Sequence, residues 1–184
     1  RVTFTRTTGA SNPATYVNSS GVVTAATNDQ PRFDYDPVTL VCKGLLIEES
    51  RANLNTNSQD FTTWSKTNVT VTGDTAVAPD GTTTADTIAA NSGFTGQYAR
   101  KDFTGLVSGQ QYTFSFFVKN INTPSVWTRF LNIDGTANTS VYPNVQVGGA
   151  DSGTGWSRIS YGNGWYRIFI TVTINATLGL RFYF

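Results

Sequence analysis

The chain has 184 residues, 39% hydrophobic and 14% charged, with a formal net charge of +1 at pH 7. These proportions exclude a disordered tail, and 9 Arg and 4 Lys scattered among 10 Asp and 2 Glu leave no electrostatic footprint for nucleic acid. Thirty Thr, 12 Phe, 8 Tyr and 17 Gly suit pleated, half-buried surface, whereas the absence of His and the single Cys42 remove imidazole catalysis, intrachain disulfides and thiolate metal sites.

The predicted elements are strands from end to end, with no sustained helical period. Residues 14–18 and 22–25 flank Ser19-Ser20-Gly21, a hairpin whose glycine supplies a positive φ. Pro31 and Pro37 bracket Arg32-Phe33-Asp34-Tyr35-Asp36, where aromatics alternate with charges as on a strand with one packed and one wet face. Residues 44–49 read as a buried strand ending at a charged edge. The Asn-rich stretch 53–59 follows, and a boundary is expected near Asn53 between an arm, 1–52, and a domain, 53–184.

Beyond it, strands are predicted at 68–72, 84–89, 96–103, 112–119, 125–133, 144–147, 156–161, 165–174 and 177–184. Pro79-Asp80-Gly81, Ser108-Gly109, Asp134-Gly135, Gly148-Gly149 and Gly162-Asn163-Gly164 punctuate them. Short strands at this spacing predict an all-β antiparallel sandwich. Tyr112, Phe114, Phe116 and Val118 share one face of their strand, as do Tyr166, Ile168, Ile170 and Val172, so these two are expected at the centre of the core. No apolar run approaches the roughly 18 residues of a membrane span, so no membrane insertion is expected. The chain opens on Arg1 and stops at Phe184 inside a strand-like run, a pattern expected of a piece truncated from something longer.

Three segments carry a resemblance. Ala14-Thr15-Tyr16-Val17-Asn18, Pro31-Arg32-Phe33-Asp34-Tyr35-Asp36-Pro37 and Gly44-Leu45-Leu46-Ile47-Glu48-Glu49-Ser50-Arg51-Ala52-Asn53-Leu54 resemble, in this order, a segment of tailed-phage and prophage fibre, spike and head-decoration proteins. Asn57 to Lys66, Ala78-Pro79-Asp80-Gly81, the run from Tyr112 to Lys119 and Gly164-Trp165-Tyr166-Arg167-Ile168 are similar to the carbohydrate-binding-module-like jelly roll that usually follows it. The resemblance implies a virion protein whose β-rich arm docks on neighbouring subunits or other virion proteins and whose jelly roll is displayed outward. It also implies a homo-oligomer, often a trimer, at the phage surface. Members commonly carry one more strand with an aromatic near the C-terminus, and this chain ends before it.

Function is weighed on a few constellations. Trp127 and Arg129 lie two apart on a predicted strand and project to one side, as do Tyr98 and Arg100. A ring beside a guanidinium suits a sugar, whose CH groups stack while its hydroxyls accept from Arg; plain packing of Arg over an edge aromatic is the competing account and takes precedence. Trp64, Trp156 and Trp165 are assigned to structure. Asp80-Gly81 and Asp134-Gly135 carry oxygens of the kind calcium takes, but Asp-Gly is first a turn pair, and no cofactor is expected. A glycosidase needs two carboxylates about 5 to 9 Å apart, yet the only Glu residues, 48 and 49, are adjacent and point to opposite faces of a strand. Arg32 is expected to pair with Asp34 or Asp36, and Arg51 with another acid, orienting the arm. Tyr16, Phe33, Tyr35 and Leu46 are expected to need partner surface. The expectation is a structural protein without a catalytic site; a carbohydrate-binding module of a larger polysaccharide-degrading enzyme or adhesin is the alternative.

Overall fold

The structure, a computed structural model, describes residues 5–6, 14–48, 52–55, 57–119, 125–126, 129–132, 145–146, 156–174 and 180–183, with backbone pairing alone at 125–126, 129–132, 145–146 and 180–183. It is all-β: 47% strand and 2% helix, with every paired strand antiparallel.

The N-terminal region is two hairpins. β1 (Thr15–Val17) pairs with β2 (Val23–Ala25), and β3 (Phe33–Tyr35) with β4 (Cys42–Leu45). Asn18 directs the first turn, its Oδ1 accepting from the N–H groups of Ser20 and Val22, while Gly21 takes φ +78. Glycine is required at 21 twice over: a Cβ there would lie 2.7 Å from the carbonyl oxygen of Pro37, where the two turns meet. In the second hairpin a bulge falls at Lys43–Gly44, with Gly44 at φ +100. Asp36 accepts from the N–H groups of Val38 and Thr39 and closes the turn.

The body follows in chain order: a 3₁₀ turn (Phe61–Thr63), β5 (Ser65–Thr67), β6 (Val69–Ala76), β7 (Ala85–Ala90), β8 (Tyr98–Phe103), β9 (Gln111–Lys119), β10 (Ser125–Val126), β11 (Arg129–Asn132), β12 (Val145–Gln146), β13 (Ser157–Ser160), β14 (Trp165–Thr173) and β15 (Leu180–Tyr183). A four-stranded sheet runs β11-β15-β8-β5 and a three-stranded sheet runs β13-β14-β9, with β6-β7 and β10-β12 as separate pairs. Alternation along β9 and β14 turns Phe114, Phe116, Ile168, Ile170 and Val172 to one side, where they meet Ala99 and Phe103 of β8 and Trp64 beside β5. The edge-to-face contact of Phe103 with Phe114, 5.7 Å between centroids, joins the two sheets, so the arrangement is sandwich-like. Ile168 and Ala99 are wholly buried. Burial of each large aliphatic of β14 contributes roughly 1.5–3 kcal/mol.

The structure corrects several expectations. Of the predicted buried strand 44–49, the described residues 44–48 are not buried: strand pairing ends at Leu45, and Leu45 and Ile47 are 37% and 82% exposed, because the two-stranded hairpin has no covering layer among the described residues. The alternation of 32–36 is inverted. Arg32 is the buried member at 7% exposure and Phe33 is 51% exposed. The two strands expected at the centre of the core, β9 and β14, do pair along their length and face it; among the described residues β14 is flanked on both sides and β9 on one. The predicted strand 125–133 is two, β10 and β11. The 3₁₀ turn and β5 were not foreseen, and β6 runs past 72 because the carboxylate of Asp86 fills a wide bulge at 73–75, accepting from the N–H groups of Asp74 (3.1 Å) and Phe61 (2.7 Å).

Candidate functional site

The sugar-facing candidates fall on the four-stranded sheet. Tyr98 and Arg100 flank the buried Ala99 on β8, so both lie on the face turned away from the core, and both are half-buried there. Register extends this position: Ser65, Arg100, Tyr183 and Arg129 form one row across β5, β8, β15 and β11. With strands about 4.8 Å apart, the backbones of Arg100 and Arg129 are about 10 Å apart in that row. Two guanidinium-bearing positions that the sequence separates by 29 residues thus belong to one sheet position. Trp127, Asp134 and Gly135 lie outside the described residues, as does Arg51.

The arm candidates serve two ends. Arg32 donates through Nη1 to the carbonyl of Thr15 (2.9 Å) and through Nη2 to Glu48 (2.7 Å), while Asp34 accepts from the N–H of Val17 (2.9 Å). The bonds to Thr15 and Val17 staple the second hairpin to the first, and the Glu48 pair closes the base of the second. The expected pairing of Arg32 with Asp34 or Asp36 is not formed: the guanidinium is taken by the carbonyl of Thr15 and by Glu48, and both Asp carboxylates are engaged by backbone N–H groups, Asp36 also meeting Lys43 at 3.5 Å. The two N–H donors, Thr39 foremost, hold the Asp36 carboxyl down at about 2. Tyr35 lies opposite Cys42 in register, and the thiol pushes the phenol above its ordinary value. Tyr16 and Leu46 are half-buried, and the backbone N–H of Leu46 bonds the carbonyl of Arg32 (2.8 Å). Phe33 and Leu45 are register partners exposed together; Val38, Leu40 and Val41 around the turn are exposed as well.

An open cleft of about 370 Å³ is lined by Gln59, Asp60, Asp74, Thr84 and Asp86. Two of its three acids are occupied in bracing the backbone: Asp86 as above, and Asp60 by accepting from the N–H of Thr62 at 2.9 Å. No group of three His, Cys, Asp or Glu among the described residues is placed to hold a metal ion. Asp80 accepts from the N–H and hydroxyl of Thr82 and shapes the turn in which Gly81 takes φ +82.

One surface was missed from sequence. The odd-numbered residues of β9 and β14 lie opposite the core residues, so the outer face of the three-stranded sheet carries Phe117, Lys119, Trp165, Arg167 and Phe169. Phe117 pairs in register with Arg167, and Lys119 with Trp165. Phe117 packs edge-on to Tyr161 at 5.0 Å, the Arg167 guanidinium stands 5.7 Å over the Phe169 ring, and the Trp165 indole N–H donates to the carbonyl of Val77 (3.1 Å). The same alternation that assigns the even positions to the core carries this signal, since it sets the odd-numbered rings on the opposite face. Trp64 and Trp156 are buried at 6% and 8%, in keeping with structural roles. No family model, curated protein or solved structure matches the chain.

Proposed function

We propose that this chain is a structural subunit of a phage virion, a fibre, spike or head-decoration protein. In this reading its N-terminal hairpins dock on neighbouring copies or other virion proteins, its β-sandwich-like body is presented for attachment or host-surface contact, and it catalyses nothing. The observation that carries the reading is the exposure of the arm: Phe33, Val41 and Ile47 are 51%, 63% and 82% exposed on hairpins bound together mainly by polar contacts. Apolar surface gathered in this way on so small an element marks an interaction site. The arm motifs quoted above add the virion context. The test is mass in solution for the full chain and for residues 53–184. The full chain is expected to associate, a trimer being the expected state, and the shortened chain to remain folded and monomeric; a full chain that stays monomeric, or a shortened chain that keeps the same assembly, would sink the docking role.

The second reading, a carbohydrate-binding module of a larger polysaccharide-degrading enzyme or adhesin, is favoured by Tyr98 and Arg100 on the face away from the core and by the register that sets the backbone position of Arg129 in the row of Arg100. Titration of Trp fluorescence with bacterial surface polysaccharide, compared with Arg100→Ala, tests it. Equal responses of the two chains would remove that face from consideration.

A further inference from the structure

Two surfaces of opposite character stand exposed on the same chain. The described arm residues from 28 to 48 carry four carboxylates, Asp29, Asp34, Asp36 and Glu48, against Arg32 and Lys43, and exposed apolar side chains on the second hairpin. On their outer face strands β9, β13 and β14 carry Lys119 and Arg167 and neither Asp nor Glu. Their outer face adds Phe117, 38% exposed, and the partly exposed Trp165 and Phe169. Its rings are held in place by Tyr161, Arg167 and the bond from Trp165 to Val77, so little ordering entropy is lost when a partner covers them.

From these we infer that the exposed apolar hairpin β3–β4 of one chain docks on the outer face of the β13-β14-β9 sheet of a second copy. This rests on the reading that the arm binds a neighbouring subunit, and it names the receiving surface. The contact is between copies because both surfaces are exposed in a single chain. Within the chain the arm instead touches the body at the β6–β7 turn, where the N–H of Val23 meets the carbonyl of Pro79 at 3.4 Å. Apolar side chains meet rings, the carboxylate-rich rim meets a face free of carboxylates, and unlike surfaces pair head to tail, which closes a ring when the rotation permits.

The test uses Ile47→Asp, which spoils the arm, and Phe117→Glu, which spoils the face, in the full chain. Each variant alone is expected to be monomeric where the parent chain assembles. Mixed in equal amounts they are expected to form a heterodimer and nothing larger, because one sound arm and one sound face remain. The thiol of Cys42, exposed in the single chain beside Val41, is expected to react slowly with iodoacetamide in the parent assembly and freely in Ile47→Asp. If Phe117→Glu does not fold by circular dichroism, Lys119→Glu at an exposed position takes its place. A face variant that assembles like the parent, or a mixture that stays monomeric, overturns this inference. If the chain lacking residues 1–52 is monomeric in that case, the docking role of the arm stands. A parent chain that is monomeric at every concentration overturns both.

Discussion

The arm and the body are made of the same antiparallel hairpins and are held by different forces. In the body, rings and aliphatics from two sheets exclude water around Ile168, Ile170 and Val172. Among the described arm residues only Val17, Ala26, Arg32 and Pro37 are buried, and the hairpins are fastened by the bonds of Arg32, Asp34 and Asn18 to backbone. The lesson is that hairpin chemistry sets local shape, whereas burial sets independence. The body supplies its own covering, and the arm leaves apolar surface for another molecule to cover.

The largest effect expected from breaking this contrast is in the body. Ile168→Ala removes a wholly buried side chain and is expected to cost about 2–5 kcal/mol in chemical denaturation, while leaving hydrogen exchange in residues 15–45 unchanged. A uniform loss of protection through the arm would mean that arm and body share one cooperative unit.

Arg32→Ala reverses the pattern. The carbonyl of Thr15 and Glu48 lose a charged donor, at about 1–3 kcal/mol, and exchange is expected to accelerate in the arm while the main unfolding transition of the body stays in place. Should the body transition fall by the same amount, the arm is not fastened locally. Gly21→Ala is expected to cost about 1–2 kcal/mol from φ alone, plus the overlap with Pro37, read as faster hydrogen exchange in residues 15–25.

The smallest effect is that of pH. Asp36 has its pKa lowered from 3.8 to about 2, so its turn is fully supported above pH 4 and loses support as the carboxyl takes up its proton toward pH 2. The amide resonances of Val38 and Thr39 are expected to shift with a midpoint near that value, and Asp36→Asn is expected to abolish the shift. A midpoint at the ordinary carboxyl value would show that the turn does not hold the ion.

Much of the body was legible because period-two alternation is strong there. The even positions of 112–118 and 166–172 face the core, and Gly162-Asn163-Gly164 turns the chain between β13 and β14. Of the three Trp assigned to structure, Trp64 and Trp156 are buried, whereas Trp165 is partly exposed on the outer face of its sheet. The arm was legible in outline only. Residues 14–25 were read as a hairpin and are one, but alternation in 32–36 cannot say which of its two sides meets another element, and here it is the side of Arg32. The candidate rows on the two sheets illustrate the same limit from the other direction. Tyr98 with Arg100 and Trp127 with Arg129 were recognised as local pairs, and the register of β15 brings Arg100 and Arg129 into one row. The face of Phe117, Arg167 and Phe169 escaped notice because exposed aromatics follow the same rule as buried ones.

By itself the amino-acid order determined the class, the punctuation and the partition of side chains between the two faces of each strand. A pleated backbone alternates whatever lies around it, and Gly, Asn and Asp turn the chain through local hydrogen bonds. Tertiary structure alone decided which strands became neighbours, which face acquired a covering layer, and that Arg32 reached Glu48 and Thr15 in place of Asp34. Those outcomes depend on register between segments far apart in sequence, and register is set by the packing of whole sheets.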